Sequence, residues 1–406
     1  MNRADKEEMA VDEARLQEGC QALIQAPGTA GQEQEAAAVL LELMKEAGFD
    51  RVWSDGVGNV IGEIKGAFPG AKVLFDAQLD TIPVSGSDQW KMDPYDGDVK
   101  EGRLYGRGAV GMKGALAAMV YGLAPLAAGK EKLAGTFYVS GSVGGEIFPG
   151  LGFSQVVHVV KPDVVVLGAP SDLQLAHGQR GRAEVSIATY GRAVHSACAE
   201  QGNNAVAAMQ KLIGEMENIV TPRHRILGKG ALCLTNIISA PYPAVGTVPH
   251  KCWATFDRYL LPGEGEQEAL GPIHQVIATL QAEDETFRAE AELAQEGLEC
   301  YTGQYLGSKR CFAAWLNEAD GPFFSGAVAA LAEAGIKAKP VVYPMATNGS
   351  YCAGILQLPT LGFGPGRPED LHVVDEAVTL ADLFSAARGY QALARHFLKK
   401  TAGGEK

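Results

Sequence analysis

The chain has 406 residues, 47% of them hydrophobic and 20% charged, a composition that belongs to folded proteins and excludes long disorder. Its formal net charge of -13 speaks against nucleic acid and anionic membrane as partners. The length exceeds what one ordinary core holds, so two domains are expected.

The opening residues, MNRADKEEMAVDEARLQEG, are charged and helical in pattern, without the apolar stretch of a signal peptide. No apolar run is long enough for a bilayer, and a cytoplasmic protein is expected. The seven cysteines (Cys20, Cys198, Cys233, Cys252, Cys300, Cys311, Cys352) are scattered and form no CxxC pair, which points to reduced thiols. Apolar residues at helical spacing predict helices over Asp12–Ile24 and Gln32–Ala47, the second ending at Gly48. Short apolar runs predict strands at Val60–Ile64, Lys72–Gln78, Thr136–Val143 and Asp163–Leu167, with a helix over Lys113–Ala128 between the second and third. Near-continuous apolar strands separated by helices indicate a mostly parallel, doubly covered sheet.

The pattern then changes. Ala183–Tyr190, Leu232–Ile238 and Trp253–Leu260 alternate, Asn204–Ile219 and Gly265–Ala282 read as helices, and Phe287–Leu293 reads as a strand. The order β-α-β-β-α-β suggests a smaller sheet covered on one face by two helices. After Gln295 the first texture returns, with helices over Gly321–Ala334 and Glu376–Phe397 and strands at Ala338–Tyr343 and Thr360–Phe363. An α/β domain formed by residues 1–179 and 295–406, interrupted by an α+β insert at 180–294, is the expected layout. The end of the chain, Ala402–Lys406, reads as a polar tail.

Residues Val73 to Gly114 include Gln78-Leu79-Asp80 at a strand end and Gly106-Arg107-Gly108-Ala109-Val110-Gly111-Met112-Lys113-Gly114 in a turn. Further motifs follow in order: SGSVGGE at Ser140–Glu146, GQRGRAEV at Gly178–Val185 and GRAVHSA at Gly191–Ala197. TVPHKCWATFDRYLLPGE at Thr247–Glu264 comes next, then TNGSYCAG from Thr347, followed by GFGPGR and His372. Together these resemble the acetylornithine deacetylase, succinyl-diaminopimelate desuccinylase and aminoacylase family of dinuclear zinc peptidases, with the selenium-metabolism-linked hydrolases as the nearest subgroup. The resemblance implies a zinc-peptidase-like domain split by a lid that also dimerises, and hence a homodimer.

Position by position, the resemblance implies a degenerate site. The first metal of the family would take ligands from the positions of Gln78, Gly111 and Ala169, none of which can ligate zinc. The second would use the positions of Gly111, Glu146 and His372, so two of three survive, and the general base falls on Gly145. A co-catalytic pair needs a full ligand shell and a carboxylate to take a proton from bound water. Standard dizinc hydrolysis is therefore not expected, no cofactor is predicted, and the most that Glu146 and His372 would keep is a single weakly held zinc. Their plain alternative is a hydrogen-bonded pair lining an old pocket. Asp80, which would orient the missing imidazole, is left to cap Thr81 or to accept from Gln78.

The resemblance also carries over binding groups. His195 matches a lid histidine that polarises the scissile carbonyl in the partner subunit's site. Arg258 matches a lid arginine that grips a substrate carboxylate, while Asn348 and Arg367 sit on glycine-rich loops where backbone can approach a ligand. The asparagine expected two residues before Val248-Pro249 is Gly246. Cys352 and Cys198 could supply a replacement nucleophile only beside a cation; otherwise they are small buried hydrophobes. Three classes follow: an enzyme acting on N-acyl or N-carbamoyl amino acids or peptides by metal-poor or rebuilt chemistry, a non-catalytic binder of such carboxylate-bearing ligands, or a structural partner of an active paralogue.

Overall fold

A computed structural model describes residues 10–128, 133–243 and 245–398. The first residues and the polar tail lie outside that set. The chain divides into two compact units, one formed by residues 1–179, 297–306 and 316–406, the other by 180–296 and 307–315. The second excursion, 307–315, was not anticipated from the sequence. It arises because the short strand Cys311–Phe312 pairs with Gly181–Tyr190.

In the larger unit, strand Phe68–Gln78 lies between Ala134–Ser142 and Val164–Leu167 and runs parallel to both. Thr360–Gly362 continues the parallel run beside Val164–Leu167. The antiparallel pair Arg51–Ser54 and Val60–Lys65 extends the other edge. Val73–Ala77 of the first strand and most of Ala134–Ser142 and Val164–Leu167 are buried, which is why these stretches read as apolar runs rather than alternation. Helix Lys113–Ala128 is apolar around its whole circumference and packs against helix Leu380–Phe397 and the Phe68–Gln78 strand. Such a helix is stable only inside a protein. Helix Gln34–Glu46 buries Ala36, Ala37, Leu40 and Met44, one face at helical spacing, and ends at Gly48 with φ +82, the left-handed stop that glycine supplies.

The last helix begins at Leu380 rather than Glu376. Ala377–Thr379 is instead a strand against Arg103–Tyr105, and the Thr379 hydroxyl accepts the Asp382 amide to cap the helix. Helix Leu151–Val160 and strand Arg51–Ser54 were not anticipated. No helix among the described residues is long and apolar enough to cross a membrane.

The smaller unit is an antiparallel sheet in the order Ala231–Ala240, Lys251–Leu260, Gly181–Tyr190, Arg288–Leu293. Along Lys251–Leu260 and Gly181–Tyr190 burial alternates residue by residue, the signature of a sheet covered on one face. Val185, Ile187, Ala254, Phe256 and Leu260 point into a core shared with Met209 and Leu212 of helix Ala205–Met216 and Ile273, Ile277 and Leu280 of helix Glu266–Glu283. Ala231–Ala240 forms the edge, where Leu234, Ile237 and Ile238 are exposed.

Candidate active site

The parallel strands of the larger unit bring their C-terminal ends together, where α/β sheets bind ligands. Gln78 ends one strand in register with Ser142 of the next. Beyond Ser142 the chain turns through Gly144, Gly145 and Glu146.

The Gln78 amide donates from Nε2 to Glu146 Oε1 at 2.6 Å. His372 Nε2 lies 3.3 Å from the same carboxylate. Asp80 is fully buried and does not bond Gln78. It accepts the backbone amides of Gly145 and Glu146 at 2.8 and 2.9 Å, so it fixes the turn that presents Glu146. Of its two expected alternative roles, capping at Thr81 and accepting from Gln78, neither is seen; Thr81 instead bonds Gly28 O through both its amide and its hydroxyl. Burial raises the Asp80 pKa well above the usual carboxylate range, helped by the charges of Glu146 and Glu33. Glu33, also buried, accepts the Gly144 amide at 3.0 Å, and burial raises its pKa too.

The turn Gly106–Met112 is held by a residue not singled out from the sequence. Glu376 Oε1 accepts the amides of Gly108, Val110 and Gly111 at 3.1, 2.8 and 3.0 Å, and its Oε2 meets Arg107 Nη1 at 2.7 Å. Both side chains of this ion pair are almost completely buried. The available signal was Arg107 itself: an arginine between two glycines in a buried turn requires a carboxylate. Lys113, at the start of the apolar helix, is also buried. It donates to Ala26 O at 2.6 Å, and burial lowers its pKa to about 8.

Zinc does not fit the donor set. A Cβ on Gly111 would stand 2.5 Å from Leu371 Cδ2, and one on Gly145 would stand 2.5 Å from Gln78 Oε1 and 2.9 Å from Gln78 Cβ. Gln78 therefore crowds any side chain at position 145, whereas at position 111 only the free end of Leu371 would have to move. Ala169 is buried, and its carbonyl accepts the Tyr343 hydroxyl at 2.8 Å. Among the described residues no three His, Cys, Asp or Glu side chains gather as a metal site.

The hydrogen bond to Glu146 raises the pKa of His372 above its ordinary value. A raised histidine pKa gives stability that is fully present below the unfolded value and is lost as pH rises through the folded one. His372 has φ +64, a conformation that asparagine tolerates. The stability difference between the native protein and His372→Asn is therefore expected to be larger near about pH 5.5 than near about pH 8.5, as read by urea unfolding. An equal difference at both would show that the pair carries no charge–charge stabilisation.

The other candidate residues are placed differently from expectation. Asn348 is committed inside the larger unit: its Nδ2 donates to Asp76 at 2.7 Å and Ser142 at 2.9 Å, and its Oδ1 accepts the Gly150 amide at 2.7 Å. Burial raises the Asp76 pKa to about 6, so Asn348 satisfies a buried carboxylate rather than presenting its amide to a ligand. Arg367 is half-exposed and bidentate to Asp370 at 2.9 Å. Cys352 is buried, its thiol pushed up to about 12 by burial, an environment that disfavours the thiolate.

In the smaller unit, His195 is exposed, and its Nδ1 accepts the Ala197 amide at 3.1 Å, leaving Nε2 as the donor. Cys198 meets it only through backbone, donating its amide to His195 O. Gly246 has φ +61. Arg258, expected as a carboxylate anchor, is committed inside its own unit. It falls on the helix-covered phase of its strand, is 4% exposed, donates to Tyr259 O, and pairs with Glu264 at 2.5 Å. A guanidinium already bonded on both sides is not a free fork for a ligand carboxylate.

A family model described as "Peptidase family M20/M25/M40" matches residues 74–396. The uncharacterized protein YgeY of Escherichia coli (strain K12) is 30% identical over 381 residues, 91% of each chain. An acetylornithine deacetylase of Proteus mirabilis (strain HI4320) is 24% identical over 325 residues, 76% of this chain and 75% of that one. A putative aminohydrolase from methicillin-resistant Staphylococcus aureus superposes with a TM-score of 0.76 at 18% identity, covering 98% of this chain and all of that one.

Proposed function

Because the chain belongs to peptidase family M20/M25/M40, we propose that it is a divergent member whose pocket binds a small carboxylate-bearing amide without standard dizinc hydrolysis. The ligand class is an N-acyl or N-carbamoyl amino acid or a peptide-like molecule. The observation that carries this reading is the occupation of the base and bridging positions by Gln78 and Leu371. What remains is a carboxylate, Glu146, bonded by an amide on one side and an imidazole on the other. His372 is the solvent-reaching member, 41% exposed. Its raised pKa favours the protonated ring, which offers a ligand anion a charge-assisted donor.

The experiment is calorimetry with a panel of N-acyl and N-carbamoyl amino acids on protein whose metal content has been measured. Expected are binding of at least one member, less than about one zinc per chain on the ligand count, and no loss of binding with chelator. Near two equivalents of zinc, or chelator-sensitive hydrolysis, would sink the proposal.

We also propose a symmetric dimer through the edge strand Ala231–Ala240, supported by the exposed Leu234, Ile237 and Ile238 on an unpaired edge. A monomer by light scattering at micromolar concentration would count against it. The seven thiols are all free, which supports a reducing, cytoplasmic setting.

A further inference from the structure

The smaller unit carries a basic hairpin that none of the chemistry above uses. Strands Arg223–His224 and Gly228–Lys229 pair antiparallel, with Arg223 directly opposite Lys229 and His224 opposite Gly228. The three-residue turn Arg225-Ile226-Leu227 closes onto Gly228 at φ +78, the left-handed position such loops give to glycine. His224 Nδ1 accepts the amides of Ile226 and Leu227 at 3.2 and 3.3 Å. At the base, the Thr221 hydroxyl donates to Gly230 O at 2.6 Å and the Gly230 amide donates to Pro222 O at 2.9 Å. Arg180 donates to Lys229 O at 3.1 Å and stacks over Tyr259 at 4.6 Å. The hairpin is thus pinned in one conformation.

Its charge arrangement is unfavourable as it stands. Like charges placed directly opposite in an antiparallel pair destabilise it, and Arg225 and Arg180 add to the same sign. Among the described residues no carboxylate pairs with Arg180, Arg223, Arg225 or Lys229, in a chain that carries 48 acidic residues against 35 basic ones. Apolar groups accompany the charge: Ile226 at the tip is 42% exposed and Val220, just before the hairpin, is 89% exposed. A basic face with exposed apolar anchors suits an extended acidic polypeptide.

We propose that the hairpin 223–229, with Arg180, is a docking site for an acidic, partly apolar segment of a partner protein. The anion would sit across the Arg223–Lys229 pair and relieve its repulsion, while Ile226 and Val220 bury against the segment's apolar residues.

The test uses the full-length protein and a fluorescein-labelled Glu-Glu-Leu repeat peptide, followed by anisotropy, with inorganic pyrophosphate as a separate ligand. Native protein is expected to bind the peptide, more weakly as salt rises. Lys229→Glu is expected to weaken binding more than about tenfold, whereas Lys100→Glu on the other unit leaves it unchanged. Lys229→Glu is also expected to melt higher than the native protein, because an opposite-charge pair replaces a repulsive one. A residue kept at the expense of stability is the mark of a binding role rather than a structural one. Equal peptide affinity in native and Lys229→Glu protein overturns the proposal. So does a lower melting point for that variant, or binding of pyrophosphate without peptide. A Lys229-dependent molar mass in light scattering would assign the face to a second copy of this chain and also overturn it.

Discussion

Glu376→Ala is expected to destabilise the larger unit by about 3–5 kcal/mol, enough to unfold much of it at physiological temperature. The substitution strands Arg107, a charge with almost no exposure, in the interior. It also removes the acceptor of three backbone amides, those of Gly108, Val110 and Gly111. Unpaired buried donors carry their full desolvation penalty, and Arg107→Met in the same background removes the stranded charge. The double variant is therefore expected to recover part of the loss, while the three amides stay unsatisfied. Urea denaturation of the native, single and double proteins measures this. A single variant within about 1 kcal/mol of native would mean that water or another group replaces the carboxylate, and the turn would not depend on Glu376.

The larger sheet was legible because its central strands are buried on both faces and flanked by helices, leaving apolar runs such as VVVL at Val164–Leu167. The smaller unit was legible for the opposite reason, since one covered face writes strict alternation into Lys251–Leu260. Short pieces whose partners are remote in sequence were not. Ala377–Thr379 reads as the start of a helix and becomes a strand because Arg103–Tyr105 is there to pair with it. At the site, the sequence reports which side chains are missing but not what takes their place. Gly111 and Gly145 read as deletions, whereas the structure shows Leu371 and Gln78 in that volume. Arg258 shows what strand parity adds to motif matching. Its strand parity, set by Phe256 and Leu260 on either side of it, points it at the helices and Glu264. That parity was available in the sequence as the alternation itself.

The same occupied volume predicts how the site responds to attempted repair. Gly145→Glu, which places a carboxylate where the family resemblance would put the general base, is expected to destabilise the protein by about 1–3 kcal/mol and to yield no hydrolysis. The backbone at Gly145 is not the obstacle, since its φ lies outside the left-handed region. The obstacle is Gln78: a new Cβ meets its Oε1 at 2.5 Å, its Cβ at 2.9 Å and its Cδ at 3.0 Å. The Cβ contact cannot be relieved by rotating the side chain. The added charge would also sit beside Asp80 and Glu146, and Asp80 already has its pKa raised by burial and by like charge. Gly111→Asp differs in kind. Its Cβ meets Leu371 Cδ2 alone, the free end of a rotatable and half-buried side chain, so the smaller destabilisation is expected there, and Leu371→Ala should remove most of it. For Gly145→Glu, Gln78→Ala removes the amide but keeps the Cβ, so rescue is partial. Two double-mutant cycles, read by urea unfolding, give coupling energies for the pairs 111/371 and 145/78. Absence of coupling in both, or a Gly145→Glu protein as stable as native, would show that the site is open and that Gln78 and Leu371 yield freely. The proposed absence of a dizinc centre would then rest on the side chains at these positions alone and not on their space.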